Sequence, residues 1–248
     1  MAVWCPPAPL PNVRDLGGLA TEDGMTIRPG RLLRSAALAH AAPASLDALT
    51  AELGPATYVD LRTDREVDRD GGAETLVARG WRWCRFPVQD LEHAQQRDGV
   101  PAPVRYEPVM SRYVEVARAV AANVDGSRAT VVACSLGNDR TGMVVALLLS
   151  WLRVGTAEII ADFLLSNVSL AATRHLLARR WRDPAHPIGQ VTADDCLAGL
   201  ATAAELLPAG QVAAAATLRR VLLVPAAGAR VGGGRVVVGG GAGRKEKQ

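Results

Sequence analysis

The segment Thr130–Gly142, which reads TVVACSLGNDRTG, decides both the architecture and the chemistry that this chain supports. Its first residues are apolar and β-branched, which predicts a short buried strand that ends at Ala133. Cys134 follows directly, then a loop that contains Gly137, then a helix that begins at Arg140. Ligands of open parallel sheets bind beyond the carboxyl ends of the strands, and a loop that enters a helix presents N–H groups and the positive end of the helix dipole. The segment therefore predicts an anion-binding site around Cys134.

Strands and helices alternate along most of the chain. Buried strands are predicted over Ala56–Leu61, Trp81–Val88 and Ala129–Ala133. Helices are predicted over Ser45–Leu53, Ser111–Val124, Arg140–Val154, Ala157–Asn167, Leu170–Trp181, Asp194–Leu207 and Gln211–Leu223. This order predicts an α/β fold, with a mainly parallel sheet flanked by helices and a helical C-terminal third. Residues 1–224 are predicted to form one domain, and the Gly-rich residues 225–248 a disordered tail.

Local signals add detail to this prediction. Thr26–Ile27 and Leu32–Arg34 flank a Pro-Gly pair, which predicts a short hairpin. Ser45 is a candidate N-cap, and Thr63 with Glu66 three residues later predicts a capping box.

Composition excludes several classes of protein. The 248 residues are 49% hydrophobic and 21% charged, which is typical of a globular chain. The cysteines are scattered without a CxxC pair, which argues against a disulfide scaffold and favours a reducing compartment. The histidines lie far apart, so neither a metal site nor a cofactor is predicted. A net charge of +3 is too small to indicate a nucleic-acid partner.

The sequence also predicts no membrane span. The first eleven residues have neither a basic region nor an apolar stretch of the signal-peptide type. The longest apolar stretch, Met143–Val154, has the length of a buried core helix rather than of a membrane span. A cytoplasmic protein is the expectation that follows.

The arrangement around Cys134 suits phosphoryl transfer. Loop N–H groups, a helix N-terminus and an arginine all favour the thiolate form of a nearby cysteine, which can attack phosphorus. Arg140 offers a planar fork to two phosphate oxygens, and the Thr141 hydroxyl can support the departing sulfur. The predicted phosphate-binding residues are Ser135, Leu136, Gly137, Asn138, Asp139 and Arg140. A Cys-x5-Arg spacing alone is a weak signal, so its context carries the prediction.

Four further segments give this context. They are Asn12–Gly18 (NVRDLGG), Gly30–Leu38 (GRLLRSAAL), Asp60–Glu66 (DLRTDRE) and Ala161–Asn167 (ADFLLSN). With the loop, they resemble the bacterial atypical tyrosine and dual-specificity phosphatases, a branch of the cysteine-based phosphatases whose loop reads HCxAGKDRTG. The resemblance covers about residues 12 to 167. It implies a protein-tyrosine phosphatase, with or without dual specificity, that works through a phosphocysteine on Cys134.

The loop departs from the family pattern at three positions. Ala133 stands where the family has the histidine that orders the loop, although low-molecular-weight tyrosine phosphatases also lack this histidine. Asn138 replaces the family lysine and removes one positive charge. Leu136 replaces a small residue and narrows the expected mouth of the pocket.

The general acid and the substrate stay open at this point. Asp139 is the preferred acid, because myotubularin-type lipid phosphatases have a similar GxDRT loop. Asp90, after the strand that ends near Val88, is the alternative. Two other functions stay open: a phosphoinositide phosphatase, and a pseudophosphatase that binds phosphorylated partners without turnover. The expected partners are phosphorylated proteins or small phosphomonoesters.

Overall fold

The main sheet of the fold has five strands. The structure is a computed structural model that describes Leu10 and residues 12–39, 41–88, 109–178, 190–206 and 210–226. The strand order is β1 (Arg14–Asp15), β3 (Leu32–Ser35), β6 (Thr130–Ala133), β4 (Thr57–Asp60) and β5 (Arg82–Arg85). Strand β1 is antiparallel to β3, and the other neighbouring pairs are parallel. The predicted α/β class, with a mainly parallel sheet, is confirmed.

Helices cover both faces of this sheet. They are α1 (Pro43–Leu53), α2 (Asp64–Asp70), α3 (Glu74–Val77), α4 (Met110–Asn123), α5 (Asp139–Trp151), α6 (Thr156–Ala178), α7 (Ala193–Glu205) and α8 (Gly210–Leu222). Helix α5 packs against β3 and β6 on one side and against α4, α6, α7 and α8 on the other, so it is buried from Arg140 to Leu149. This burial explains its almost wholly apolar sequence. A smaller apolar cluster, with Leu46, Tyr58 and Leu76, covers the opposite face.

The predicted hairpin around Pro29-Gly30 is wrong. Thr26 lies in β2 (Met25–Ile27), which pairs antiparallel with β7 (Leu223–Pro225) near the other end of the described chain. Strand β3 instead enters the main sheet between β1 and β6. Strands of two to four residues are too short for local sequence to fix their partners, so tertiary packing decides them.

Several helix boundaries also differ from the prediction; helix α5, for example, ends at Trp151 and not at Val154. Helix α1 begins at Pro43, not at Ser45, because proline is well suited to the first position of a helix. The two helices predicted between Ala157 and Trp181 form one continuous helix, α6, which begins at Thr156. The capping box is confirmed: Thr63 accepts from the N–H of Glu66, and Glu66 accepts from the N–H of Thr63.

No helix in the described part of the chain is long and apolar enough to cross a membrane. The predicted tail, residues 225–248, is wrong at its start, because Pro225 lies in β7 and pairs with Met25. Residues 89–108 and 227–248 lie outside the described residues.

Candidate active site

Cys134 lies one residue beyond the carboxyl end of β6, in the loop that leads to α5. Its side chain is 2% exposed, and its Sγ accepts a hydrogen bond from the N–H of Gly137 at 3.3 Å. Gly137 has a φ of +68°, and a Cβ there would stand 2.4 Å from the carbonyl oxygen of Ser35. Only glycine combines this backbone conformation with this close approach. The loop therefore folds tightly over the end of β3 and around the sulfur.

The carbonyl groups of the loop are held on its outer side. The side-chain amide of Asn12 donates to the carbonyl oxygens of Leu136 and Gly137, at 3.0 and 2.8 Å. Nη2 of Arg34 donates to the carbonyl oxygens of Gly137 and Asn138, at 2.8 and 3.3 Å. Because the N–H of a trans peptide points opposite to its carbonyl, holding the carbonyls outward turns the N–H groups inward. The Gly137 N–H that reaches Cys134 is one such group.

A buried ion cluster of Arg14, Arg34 and Asp162 supports this arrangement from behind. Asp162 accepts from Nε of Arg14 at 2.6 Å and from Nη1 of Arg34 at 2.5 Å. Both arginines also donate to the hydroxyl of Ser166, and Arg14 donates to Asn12. Burial alone raises the pKa of Asp162, but the two guanidinium groups lower it below its usual value. Burial and the charge of Arg34 lower the pKa of Arg14 to about 10.

Arg140 is paired with a carboxylate from another helix, Glu66 of α2. Nη1 and Nη2 of Arg140 each donate to one carboxylate oxygen of Glu66 at 2.7 Å. The hydroxyl of Ser135 donates to the same carboxylate. Burial raises the pKa of Glu66, but the hydrogen bonds and charge of Arg140, with the Ser135 hydroxyl, lower it to about 2. Glu66 therefore stays ionised throughout the neutral pH range.

A second buried ion pair anchors the segment that leads into α2. Arg62 donates from Nε and Nη2 to the two oxygens of Asp60, at 2.9 and 2.7 Å, and both side chains are fully buried. Arg62 also donates to the carbonyl of Gly71, just beyond the end of α2. The pair joins the end of β4 to both ends of this helix.

The structure brings the predicted loop residues together. Ser135, Asn138 and Arg140 are buried, while Leu136 and Asp139 are half-buried. The hydroxyl of Thr141 is buried and has no hydrogen-bond partner within the described ranges. Asp90 lies outside the described residues, so the choice between Asp139 and Asp90 stays a prediction. In the same ranges, no three His, Cys, Asp or Glu side chains are placed to hold a metal ion.

Two contacts of this site escaped prediction from the sequence. Arg14 pairs with the distant Asp162 and not with its neighbour Asp15, which accepts from the N–H groups of Gly17 and Gly30. Glu66 was expected only as part of a capping box. Arg14 and Glu66 both stand in the motif segments, and this was the available signal. The positions of these residues along the chain do not reveal which distant residue each one contacts.

Comparison with known proteins identifies the family. The model of the tyrosine phosphatase family matches residues 7–220. The chain therefore belongs to the tyrosine phosphatase family, and the resemblance seen in the motifs is confirmed.

Two relatives are similar over part of their length. One, from Cupriavidus necator, is named a putative tyrosine-protein phosphatase; it is 32% identical over 63% of this chain and 60% of that protein. The chain thus spans less than two thirds of that relative. The other, the triple specificity protein phosphatase PtpB of Mycobacterium tuberculosis, is 28% identical over 66% of this chain and 69% of that protein.

Among solved structures, the active form of Tk-PTP is 18% identical, with a TM-score of 0.43 over 71% of this chain and 93% of that chain. A PTP-like phytase from Bdellovibrio bacteriovorus is 16% identical, with a TM-score of 0.41 over 90% of this chain and 96% of that chain.

Proposed function

We propose that this protein is a cysteine-dependent phosphomonoester hydrolase that acts on phosphotyrosine in proteins, with or without activity on phosphoserine and phosphothreonine. The observation that carries the proposal is the loop around Cys134. The sulfur of Cys134 accepts a hydrogen bond from the N–H of Gly137, and the carbonyls of the loop are held outward. Arg140 follows at the start of a buried helix. Membership of the tyrosine phosphatase family and the names of the two relatives support the same substrate class.

The mechanism begins with attack on phosphorus. The Cys134 thiolate forms an S–P bond while the P–O bond to the leaving group breaks, which gives a phosphocysteine. The inward loop N–H groups, the N-terminus of α5 and the Arg140 guanidinium stabilise the charge on the phosphoryl oxygens. Water then attacks phosphorus, the S–P bond breaks, and inorganic phosphate leaves. In this proposal, the hydroxyl of Thr141, in the first turn of α5 next to Arg140, donates to the departing sulfur. In support, this buried hydroxyl has no other hydrogen-bond partner within the described residues.

A carboxylic acid protonates the departing oxygen and later takes a proton from the attacking water. Asp139 is the preferred candidate, because it is the first residue of α5, beside Arg140, and is half-buried. Asp90 remains the alternative, because it follows Val88 by two residues, and the carbonyl of Val88 accepts from Arg140 at 3.3 Å. Since the thiolate, the loop N–H groups, the arginine and the carboxylic acid supply the catalytic groups, the proposed chemistry needs no metal ion.

The test is hydrolysis of p-nitrophenyl phosphate between pH 5 and 8 with EDTA present. The unaltered protein is compared with Cys134→Ser and with the matched control Cys84→Ser, whose half-buried thiol lies on β5. Activity that survives EDTA, stops with vanadate and disappears only in Cys134→Ser supports the proposal. No turnover by folded protein, together with tight phosphopeptide binding, contradicts it and favours a pseudophosphatase, which the buried Ala133 motivates.

The substrate class needs a second comparison. Initial rates on a phosphotyrosine peptide, a phosphoserine peptide and phosphoinositide vesicles are measured with the same preparation. We expect the phosphotyrosine peptide to react fastest. A preference for the vesicles would contradict the proposal and favour a lipid substrate.

A further inference from the structure

The segment Ser35–Leu38, which begins with the last residue of β3, supports the Cys-x5-Arg loop from one side. The N–H of Ala37 donates to the carbonyl oxygen of Ser135 at 3.2 Å. The backbone of Ser35 lies so close to Gly137 that a Cβ there would stand 2.4 Å from the Ser35 oxygen. In a close-packed interior a shift of one element displaces its neighbours, so the position of the loop depends on the position of this segment.

The hydroxyl of Tyr58 holds the end of this segment. Tyr58 lies on β4 and is 1% exposed, and its hydroxyl oxygen accepts from the N–H of Leu38 at 3.3 Å. Leu38 is itself fully buried, so its N–H has no access to bulk water. A buried N–H that loses its acceptor is costly, so removal of the hydroxyl favours a shift of this backbone.

Tyr58 stays neutral in this position. Burial raises the pKa of Tyr58, and the charges of Asp60 and of the Cys134 thiolate act in the same direction. The charge of Arg62 and the hydrogen bond from Leu38 oppose this shift without cancelling it. The hydroxyl is therefore protonated at neutral pH, and it accepts from the backbone without bringing a second negative charge near the nucleophile.

The contact between Tyr58 and Leu38 passes over β6. The register pairs Tyr58 with Val131, and Ala133 is two residues further along β6. Side chains two residues apart in a strand point to the same face, so Tyr58 and Ala133 share one face of the sheet. Both belong to the same buried apolar cluster as Leu38. Because β6 lies between β4 and β3, the Tyr58 ring extends across β6 toward the residues that follow β3.

The small side chain at position 133 is what leaves room for this ring. Position 133 is also where the chain departs from the family pattern, which has a histidine that orders the loop. A larger side chain there would point to the same face of the sheet as the Tyr58 ring and compete with it for space. In this chain, the polar group that supports the loop therefore comes from the neighbouring strand.

We propose that Tyr58 is a positioning residue for phosphoryl transfer: its hydroxyl fixes Leu38 and thereby the segment that supports the loop, while Ala133 provides the space for its ring. This inference rests on the proposed phosphatase function. The alternative is that Tyr58 only fills the core. In that case, removal of the hydroxyl lowers the free energy of unfolding but leaves turnover and phosphate binding unchanged.

The first variant is Tyr58→Phe, which keeps the ring and removes the hydroxyl. The matched control is Thr50→Val, which keeps the size of the side chain and removes the acceptor of the Trp81 indole N–H, at 2.9 Å. Trp81 belongs to the same apolar cluster as Tyr58, but this contact joins α1 to the residue before β5. For each protein, kcat on p-nitrophenyl phosphate, the inhibition constant of inorganic phosphate and the free energy of unfolding in urea are measured.

We expect kcat of Tyr58→Phe to fall by about 10-fold. A misplacement of about 1 Å can cost about 100-fold, and the loss of one hydrogen bond should shift the loop by less than that. The inhibition constant of phosphate is expected to rise several-fold. Thr50→Val is expected to lose stability as well but to keep kcat within about twofold of the unaltered protein.

A second pair of variants tests the role of position 133. Ala133→His alone is expected to lower kcat, because the imidazole meets the ring of Tyr58 in a filled interior. In the Tyr58→Val background this space is free, so the addition of Ala133→His should raise kcat several-fold above that of Tyr58→Val. The opposite effects of one substitution in the two backgrounds measure the coupling between the two positions.

Unchanged kcat and unchanged phosphate binding in a folded Tyr58→Phe variant would overturn the inference and leave the proposed function intact. If Tyr58→Phe does not fold, Ala133→Val crowds the same ring while the hydroxyl is kept, and a smaller fall in kcat is expected; an unchanged kcat would overturn the inference equally. Failure of Ala133→His to raise kcat in Tyr58→Val would overturn the pairing of the two positions. If the unaltered protein neither turns over p-nitrophenyl phosphate nor binds phosphate, the proposed function itself fails, and the inference fails with it.

Discussion

Replacing Asp162 by asparagine should destabilise the fold far more than an ordinary Asp→Asn change. Asp162 is buried and is the partner of Arg14 and Arg34, at 2.6 and 2.5 Å. Its neutralisation leaves the buried guanidinium of Arg34 and the half-buried one of Arg14 close together, without their shared carboxylate. Removing one partner of a buried ion pair costs about 3–5 kcal/mol. For a chain of this size, that loss corresponds to a decrease in Tm of roughly 6–20 °C.

The assay is urea unfolding at pH 7, with Asp47→Asn as the control. Asp47 pairs with Arg79, but its side chain is 65% exposed, so a change of about 0–1 kcal/mol in the free energy of unfolding is expected there. The pH dependence gives a further check. The pKa of Asp162 is lower in the folded protein than its ordinary value of 3.8. Its ionisation therefore stabilises the fold above about pH 4, and this contribution is lost as the pH falls through the lowered pKa.

The unaltered protein and Asp162→Asn should accordingly differ most in their free energy of unfolding at pH 7, and this difference should decrease below about pH 4. A difference under about 1 kcal/mol at pH 7, comparable with the control, would refute the account of the buried ion cluster.

Three further predictions concern the loop itself. Gly137→Ala should abolish most phosphate binding, because its Cβ would meet the carbonyl of Ser35 at 2.4 Å and its φ is +68°; wild-type affinity for inorganic phosphate by calorimetry would contradict this. Asp139→Asn should lose much more rate on an alkyl phosphate than on p-nitrophenyl phosphate, because only the poor leaving group needs a proton; equal losses would indicate a structural role. Because Arg140 and Ser135 lower the pKa of Glu66 to about 2, the stability that its ionisation provides should be present above about pH 4.5 and fall as the pH decreases toward 2. The decrease in the free energy of unfolding between pH 4.5 and 2 should therefore be smaller in Glu66→Gln than in the unaltered protein.

The central strand, loop and helix were predictable because every signal there is local. The apolar run up to Ala133, the glycine at position 137 and the long apolar helix after Arg140 each occur within a few residues. The same holds for the capping box at Thr63, where donor and acceptor are three residues apart. Such patterns need no knowledge of the rest of the fold.

The contacts that complete the site were not predictable in this way. Glu66 reaches Arg140 across 74 positions, and Arg14 reaches Asp162 across 148. The sequence shows that these side chains are charged, but it does not show with which residue of opposite charge each one pairs. The motif segments therefore indicated the family before the structure gave a physical reason for Asn12, Arg34 and Asp162.

The pairing of β2 with β7 has a consequence for how the protein is made. Thr26 and Val224 are 198 positions apart, yet they lie opposite each other in this small sheet. A nascent chain emerges from the ribosome with its N-terminal part first. Strand β2 must therefore wait for almost the whole chain before its partner exists. The buried Ile27 is covered late, and the molecule completes its fold only when translation has passed Pro225.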